Sequence, residues 1–203
     1  MKTLRFLLLA LLALAIALPA FADPIPLKTL SAYLNSIGSA EATFRQVNAD
    51  GSTSSGKVIL KRPGRMRFEY ARPDKTLVLA SAGSVAIFDP KSNDLPTQYP
   101  LSKTPLNLIL GPNIDLGRAK MVVAQREEGP LTIITAQDPE HPDYGTLELG
   151  FSDGPVTLRQ WVVTDGSGAQ TTVVLDALTD GKSYSDQAFS INGEIEARGK
   201  KTR

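Results

Sequence analysis

Residues 55–73 read S-G-K-V-I-L-K-R-P-G-R-M-R-F-E-Y-A-R-P, two strands joined by a tight turn at Pro63-Gly64. Side chains alternate with a period of two along a strand. Val58, Leu60 and Arg62 therefore share one face, and Lys57, Ile59 and Lys61 the other. After the turn, Met66, Phe68 and Tyr70 lie opposite Arg65, Arg67 and Glu69. If the faces carrying Leu60 and Phe68 are the inner ones, Arg62 is aimed inward. An inward arginine must be paired or hydrogen-bonded, because an unpaired buried charge is costly. Alternation alone leaves a second arrangement open, in which Arg62 ends its strand and bends out to solvent. The basic residues of this hairpin, Arg62, Arg65, Arg67 and Arg72, are divided between faces and make a poor phosphate track. They form either a solvated outer face or a patch for a partner protein or lipid head groups.

Outward from the hairpin the period of two continues. Ala40, Ala42 and Phe44 alternate with Glu41, Thr43 and Arg45, and residues 48–54 form a polar turn with a glycine. Strands are expected at Thr76–Ala80, Val85–Asp89, Thr97–Leu101, Ala119–Gln125, Leu131–Ala136, Gly145–Phe151, Val156–Thr164 and Gln170–Ala177. Turns at Glu128-Gly129, Asp153-Gly154 and residues 165–168 separate the later ones. A last short strand is expected around Phe189–Ile191, followed by a mobile charged end from Glu194 to Arg203. About ten short strands with tight turns mean one strongly curved antiparallel sheet or a barrel, a mainly β fold of the α+β type. No repeat, linker or second domain interrupts it.

Two segments break the pattern. Leu27, Leu30, Leu34 and Ile37 lie on one face of a helix over Pro24–Ile37, with prolines at its start and Gly38 at its end. Residues 104–112, T-P-L-N-L-I-L-G-P, combine a capping Thr104, Pro105 at the first helical position and a Gly-Pro stop. That helix has two turns at most and is apolar nearly all round, so it must be buried on most sides. Both helices are expected to lie on the sheet, either as a lid or as an ordinary plug.

The chain opens with Lys2 and Arg5, an apolar run from Phe6 to Leu18 and Ala20-Phe21-Ala22, the plan of a secretory signal peptide cleaved before Asp23. The run is short for a membrane span, which needs roughly 20 residues. Loss of residues 1–22 removes two basic residues and moves the formal net charge from +1 to −1, so nothing calls for nucleic acid. With no cysteine the fold has no disulfide, and the cleavage site lacks the residue that bacterial lipidation requires. A soluble protein of the Gram-negative periplasm is expected, with residues 23–203 as one domain.

Catalytic groups are scarce. The single histidine, His141, lies in a proline-rich turn, and no cysteine, G-x-S-x-G elbow, P-loop or G-x-G-x-x-G is present. No Asp or Glu stands inside an apolar strand where burial would raise its pKa. No enzyme, metal or cofactor is expected.

These pieces, in order, resemble the LolA family of periplasmic outer-membrane lipoprotein carriers. The likeness rests on Ala42-Thr43-Phe44-Arg45-Gln46, on Leu60-Lys61-Arg62-Pro63-Gly64 followed by Met66, Phe68 and Tyr70, and on Pro73. Phe88-Asp89-Pro90, Pro100-Leu101 and the Thr104–Leu110 helix complete it. Met66 departs from the pattern, which has a second aromatic there. The resemblance implies an incomplete antiparallel β-barrel covered by a lid of short helices over an apolar cavity. It implies that Arg62 points inward and fastens the lid. Combined with face assignment, it nominates Phe44, Leu60, Met66, Phe68, Leu77, Leu79, Ile87, Leu106, Ile109, Leu110 and Trp161 as acyl-chain liners, although plain core packing would use the same residues. Lipoproteins, an inner-membrane ABC transporter and an outer-membrane receptor are the implied partners, and a monomer is expected. A carrier of another lipid, such as a glycolipid or hopanoid, and a lipid- or protein-binding sensor stand as alternatives.

Overall fold

The structure, a computed structural model, describes residues 23–92, 94–104 and 106–201. The expected leader and Pro105 lie outside the described residues. Every strand expected between Ser39 and Ala177 forms, with ends moved by a few residues. They are β1 (Ser39–Val47), β2 (Thr53–Lys61), β3 (Arg65–Tyr70), β4 (Leu77–Ser81), β5 (Ser84–Phe88), β6 (Thr97–Pro100), β7 (Val122–Glu128), β8 (Leu131–Gln137), β9 (Gly145–Ser152), β10 (Thr157–Asp165) and β11 (Gln170–Leu175). A two-residue β12 (Thr179–Asp180) pairs with the start of β1.

All belong to one antiparallel sheet in the order β6-β5-β4-β3-β2-β1-β11-β10-β9-β8-β7. The two end strands, β6 and β7, do not pair with each other, so the sheet stops short of a closed barrel. Its curl is visible in one contact. Phe68 on β3 and Trp161 on β10 stand four places apart in the strand order, about 19 Å in a flat sheet. Their ring centroids are 5.8 Å apart. A β-bulge between Leu158 and Gln160 re-phases β10, so that both Leu158 and Trp161 face the concave side.

Two helices lie on that concave side. Helix α1 (Leu27–Ser36) buries Leu30 and Leu34 in the core shared with the sheet. A 3₁₀ turn at Leu101–Lys103 leads to α2 (Asn107–Leu110), whose Leu108, Ile109 and Leu110 are all buried, as a helix apolar all round requires. Thr104 does not act as the expected side-chain cap. Its hydroxyl donates back to the Leu101 carbonyl (2.9 Å), which closes the 3₁₀ turn instead.

The tail departs from its reading as a strand and a mobile end. Residues 186–189 form a 3₁₀ turn and Ile191–Lys201 a helix, α3. Ile191 and Ile195, one helical turn apart, pack on the convex face against Leu77, Leu79, Ala86 and Phe88. This segment also covers the basic face of the hairpin, which is neither free nor simply solvated. Lys61 donates to the Tyr184 carbonyl (2.7 Å) and pairs with Asp186 (2.6 Å), Arg65 pairs with Asp186, and Arg67 donates to the Ala188 carbonyl (3.0 Å). No helix among the described residues is long and apolar enough to cross a membrane.

The approach to this tail is pinned through Glu41 on β1, which accepts hydrogen bonds from Lys182, Lys57 and Tyr184. These bonds, led by Lys182, pull its carboxyl from the ordinary 4.5 down to about 2. A depressed carboxylate stabilises the fold fully above its unfolded pKa and loses that contribution as pH falls through the folded value. The wild type is therefore expected to lose thermal stability between pH 4.5 and 2 more steeply than Glu41→Gln, with the gap between them closing over that window. Parallel melting curves for the two proteins would refute the role given to Glu41.

Candidate functional site

The concave face carries a continuous apolar lining. From β1 to β3 it presents Ala40, Ala42, Phe44, Val58, Leu60, Met66 and Phe68, all buried. The opposite wall supplies Ile134, Leu147, Leu149, Phe151, Leu158, Trp161, Val173 and Leu175. At its centre Phe44 and Phe68 stack with centroids 3.9 Å apart, and Tyr70 meets both rings. Phe44 finds room because its strand neighbour is Gly56, where a Cβ would stand 2.7 Å from the ring and 2.0 Å from the Glu69 carbonyl oxygen. Tyr70 closes the aromatic group with a polar tip. Its hydroxyl donates to Gln46 (2.7 Å), and burial pushes its pKa up to about 12.

Above this lining Arg62 ties the two helices down together, and α1 has a second tie to the sheet where the Leu158 N–H donates to the Tyr33 hydroxyl (3.1 Å). Arg62 follows the last residue of β2, and its backbone N–H donates to the Gly38 carbonyl (2.9 Å). Its guanidinium reaches over the lining to both lid helices. One terminal nitrogen donates to the Leu34 carbonyl near the end of α1. The other donates to Asn35 Oδ1 (3.1 Å) and to the Gly111 carbonyl (2.6 Å) just past α2. Carbonyls at a helix C-terminus have no partner within the helix and carry the negative end of its dipole, so a cation suits them. The cation is nonetheless desolvated, which lowers its pKa, and its Nε is buried with no hydrogen-bond partner among the described residues. The Gly64 N–H adds a bond to the Leu110 carbonyl (2.8 Å) beside it.

The structure distributes the nominated liners unevenly. Phe44, Leu60, Met66, Phe68, Ile109, Leu110 and Trp161 are buried together between sheet and helices, with Leu106 partly buried against them. Leu77 and Leu79 do not belong there. They point to the convex side and lie beneath α3, while Val78 and Ala80 of the same strand face inward. β4 is apolar on both faces because both are covered, which leaves no alternation from which to read its phase. Ile87 pairs with Val78 across the sheet, yet it is 38% exposed and outside the apolar cluster.

Four lid residues escaped the sequence reading. Asn35 and Ser31 are polar positions on α1 that an apolar periodicity passes over. Ile114 and Leu116 are buried in a connection to which no element was assigned, though their spacing of two was a usable signal.

A protein-family model described as outer membrane lipoprotein carrier protein LolA matches residues 35–192, from the end of α1 to the start of α3. The chain belongs to the LolA family. Relatives named outer-membrane lipoprotein carrier protein include one from Azotobacter vinelandii, 28% identical over 182 residues, covering 86% of each chain. Another, from Methylobacillus flagellatus, is 24% identical over 195 residues and covers 92% of this chain and 94% of its own. A solved structure of a putative outer membrane lipoprotein-sorting protein domain from Vibrio parahaemolyticus is similar with a TM-score of 0.49 and 8% identity, over 82% of this chain and 95% of that one. Within the LolA family this chain has Met66 where the resemblance leads one to expect an aromatic, and that thioether is buried on the concave lining. A flexible, polarizable side chain adapts to contacts of varied shape.

Proposed function

We propose that the mature chain, beginning at Asp23, is a monomeric periplasmic carrier that shields the acyl chains of lipoproteins and performs no catalysis. It receives them from an inner-membrane ABC transporter and passes them to an outer-membrane receptor. The observation that carries this reading is the set of hydrogen bonds from Arg62 to two helices that cover an apolar face. Family membership and the names of the relatives support it.

The physical need is plain. Each buried CH₂ of an acyl chain gains roughly 0.8 kcal/mol, so a lipidated protein does not leave a membrane for water unaided. A carrier must cover those chains and later surrender them. Here the lid helices occupy the lining when it is empty, so cargo must displace them. The bonds of Arg62 favour the closed empty state and thereby weaken net binding.

Native mass spectrometry of the chain, expressed with its leader and purified gently from a Gram-negative periplasm, tests this. A one-to-one adduct of lipoprotein mass is expected, and Arg62→Leu should enrich it. Adducts of free-lipid mass alone would move the function to another lipid. No adduct from either form, with no displacement of a fluorescent fatty acid, would end the carrier reading.

A further inference from the structure

Ser31 and Asn35 stand one turn apart on α1 and face the same way. Each bonds to the backbone of the connection that follows α2. The Ser31 hydroxyl donates to the Leu27 carbonyl (2.7 Å) and accepts from the Leu116 N–H (3.0 Å). Asn35 Oδ1 accepts from the Ile114 N–H (3.0 Å), and Asn35 Nδ2 donates to the Ile114 carbonyl (2.8 Å). The two rows are in step. Four residues of helix advance about 6 Å and two extended residues about 6.6 Å. Residues 114–116 can therefore lie antiparallel along α1 and meet a polar side chain at each repeat. Ile114 and Leu116 add buried apolar contacts to the same core.

We propose that α1 and residues 106–116, both of which Arg62 bonds, form a single lid body joined by this Ser31–Asn35 seam. The choice of partners carries the idea. Arg62 bonds Leu34 and Asn35 on one component and Gly111 on the other, and Asn35 Oδ1 accepts from both Arg62 and Ile114. Releasing the guanidinium removes an anchor that the two components share, and the Leu158 N–H to Tyr33 hydroxyl bond (3.1 Å) and the Gly64 N–H to Leu110 carbonyl bond (2.8 Å) must then break as well. Had α1 and α2 been separate flaps, either could lift alone and expose part of the lining. A one-piece lid opens whole, so a ligand must offset the loss of all its ties at once. Cargo with several acyl chains meets that threshold more readily than a single fatty acid. Ser31 and Asn35 are thus positioning residues that set cargo specificity, an inference that rests on the carrier function proposed above.

The chain has no cysteine, so spin labels can be placed singly and in pairs. Exposed Lys28 on α1, Asn113 on the connection and Ala177 on the sheet side serve as sites for cysteine substitution. In an Arg62→Leu background, pulsed electron–electron distances from Ala177 to both lid sites should lengthen while Lys28–Asn113 keeps one narrow distribution. Splitting of the Lys28–Asn113 distance would overturn the single body, and unchanged distances to Ala177 would overturn the shared anchor. Adding Ser31→Ala and Asn35→Ala should broaden Lys28–Asn113, and an unaltered distribution would overturn the seam. Palmitate should bind Ser31→Ala, which leaves every Arg62 partner in place, about three to ten times more tightly than wild type, the worth of one hydrogen bond. Equal affinities would overturn the threshold. Failure of a triacylated lipopeptide to bind the wild type would count against the carrier reading instead, and the Arg62→Leu distances would still judge the lid.

Discussion

Replacing Arg62 with leucine is expected to leave the chain folded and to slow release of bound lipoprotein to its acceptor by about ten- to a hundredfold. The change removes three side-chain bonds to Leu34, Asn35 and Gly111. Hydrogen bonds to a charged group are worth about 1.5–3 kcal/mol each in favourable cases, and 1.4 kcal/mol is a factor of ten. The loss is smaller than their sum, because leucine also abolishes the cost of burying an unpartnered Nε and a desolvated charge. Those bonds exist only with the lid closed, so their loss raises the population competent to hold cargo and tightens net binding by the same factor. Mixing loaded protein with acceptor and timing the transfer measures it. Release as fast as wild type would show that Arg62 does not hold the lid, and a variant that melts far below wild type would make Arg62 a structural residue.

The strands of this fold were legible because turn residues punctuate them and most have one covered face. The hairpin around Pro63-Gly64 shows this well. Val58 and Leu60 alternate with Lys57, Ile59 and Lys61, and the structure buries the first pair in the main core. That phase alone left Arg62 open between an inward and a solvent-bent position, and it was the family resemblance that pointed it inward. Legibility failed wherever both faces are covered or the covering is polar. Leu77-Val78-Leu79-Ala80 is apolar throughout, since α3 lies on one side and the core on the other. Helix α3 itself brings two aliphatic side chains, Ile191 and Ile195, to the sheet among charged neighbours, so its sequence resembles a solvated tail. Its docking depends on Asp186 and Glu194 meeting Lys61, Arg65 and Arg67, more than a hundred residues distant in the chain. The lid seam is polar as well. Ser31 and Asn35 carry no periodic signal, because what they recognise is backbone and not a side-chain type.

Phe68→Ala is expected to cost the empty protein about 3–5 kcal/mol, the usual loss for deleting a buried aromatic, and to lower its melting temperature by about 10 °C or more. Phe68 stacks on Phe44 and also touches Tyr70 and Trp161, so the substitution opens a cavity at the centre of the concave lining. How cargo changes that loss separates a cavity wall from a plain core. With the lid displaced, a carrier presents Phe68 to flexible acyl chains, which refill the space a ring has left. Triacylated lipopeptide should then raise the melting temperature of Phe68→Ala by more than it raises that of wild type. Phe189 supplies the matched control, since it is equally aromatic and fully buried but sits in the tail segment beside Tyr184 on the convex side. Phe189→Ala should lose comparable stability and gain no extra protection from the lipopeptide. If the ligand protects both variants alike, or protects Phe68→Ala no more than wild type, Phe68 is core packing and the acyl chains lie elsewhere on the protein.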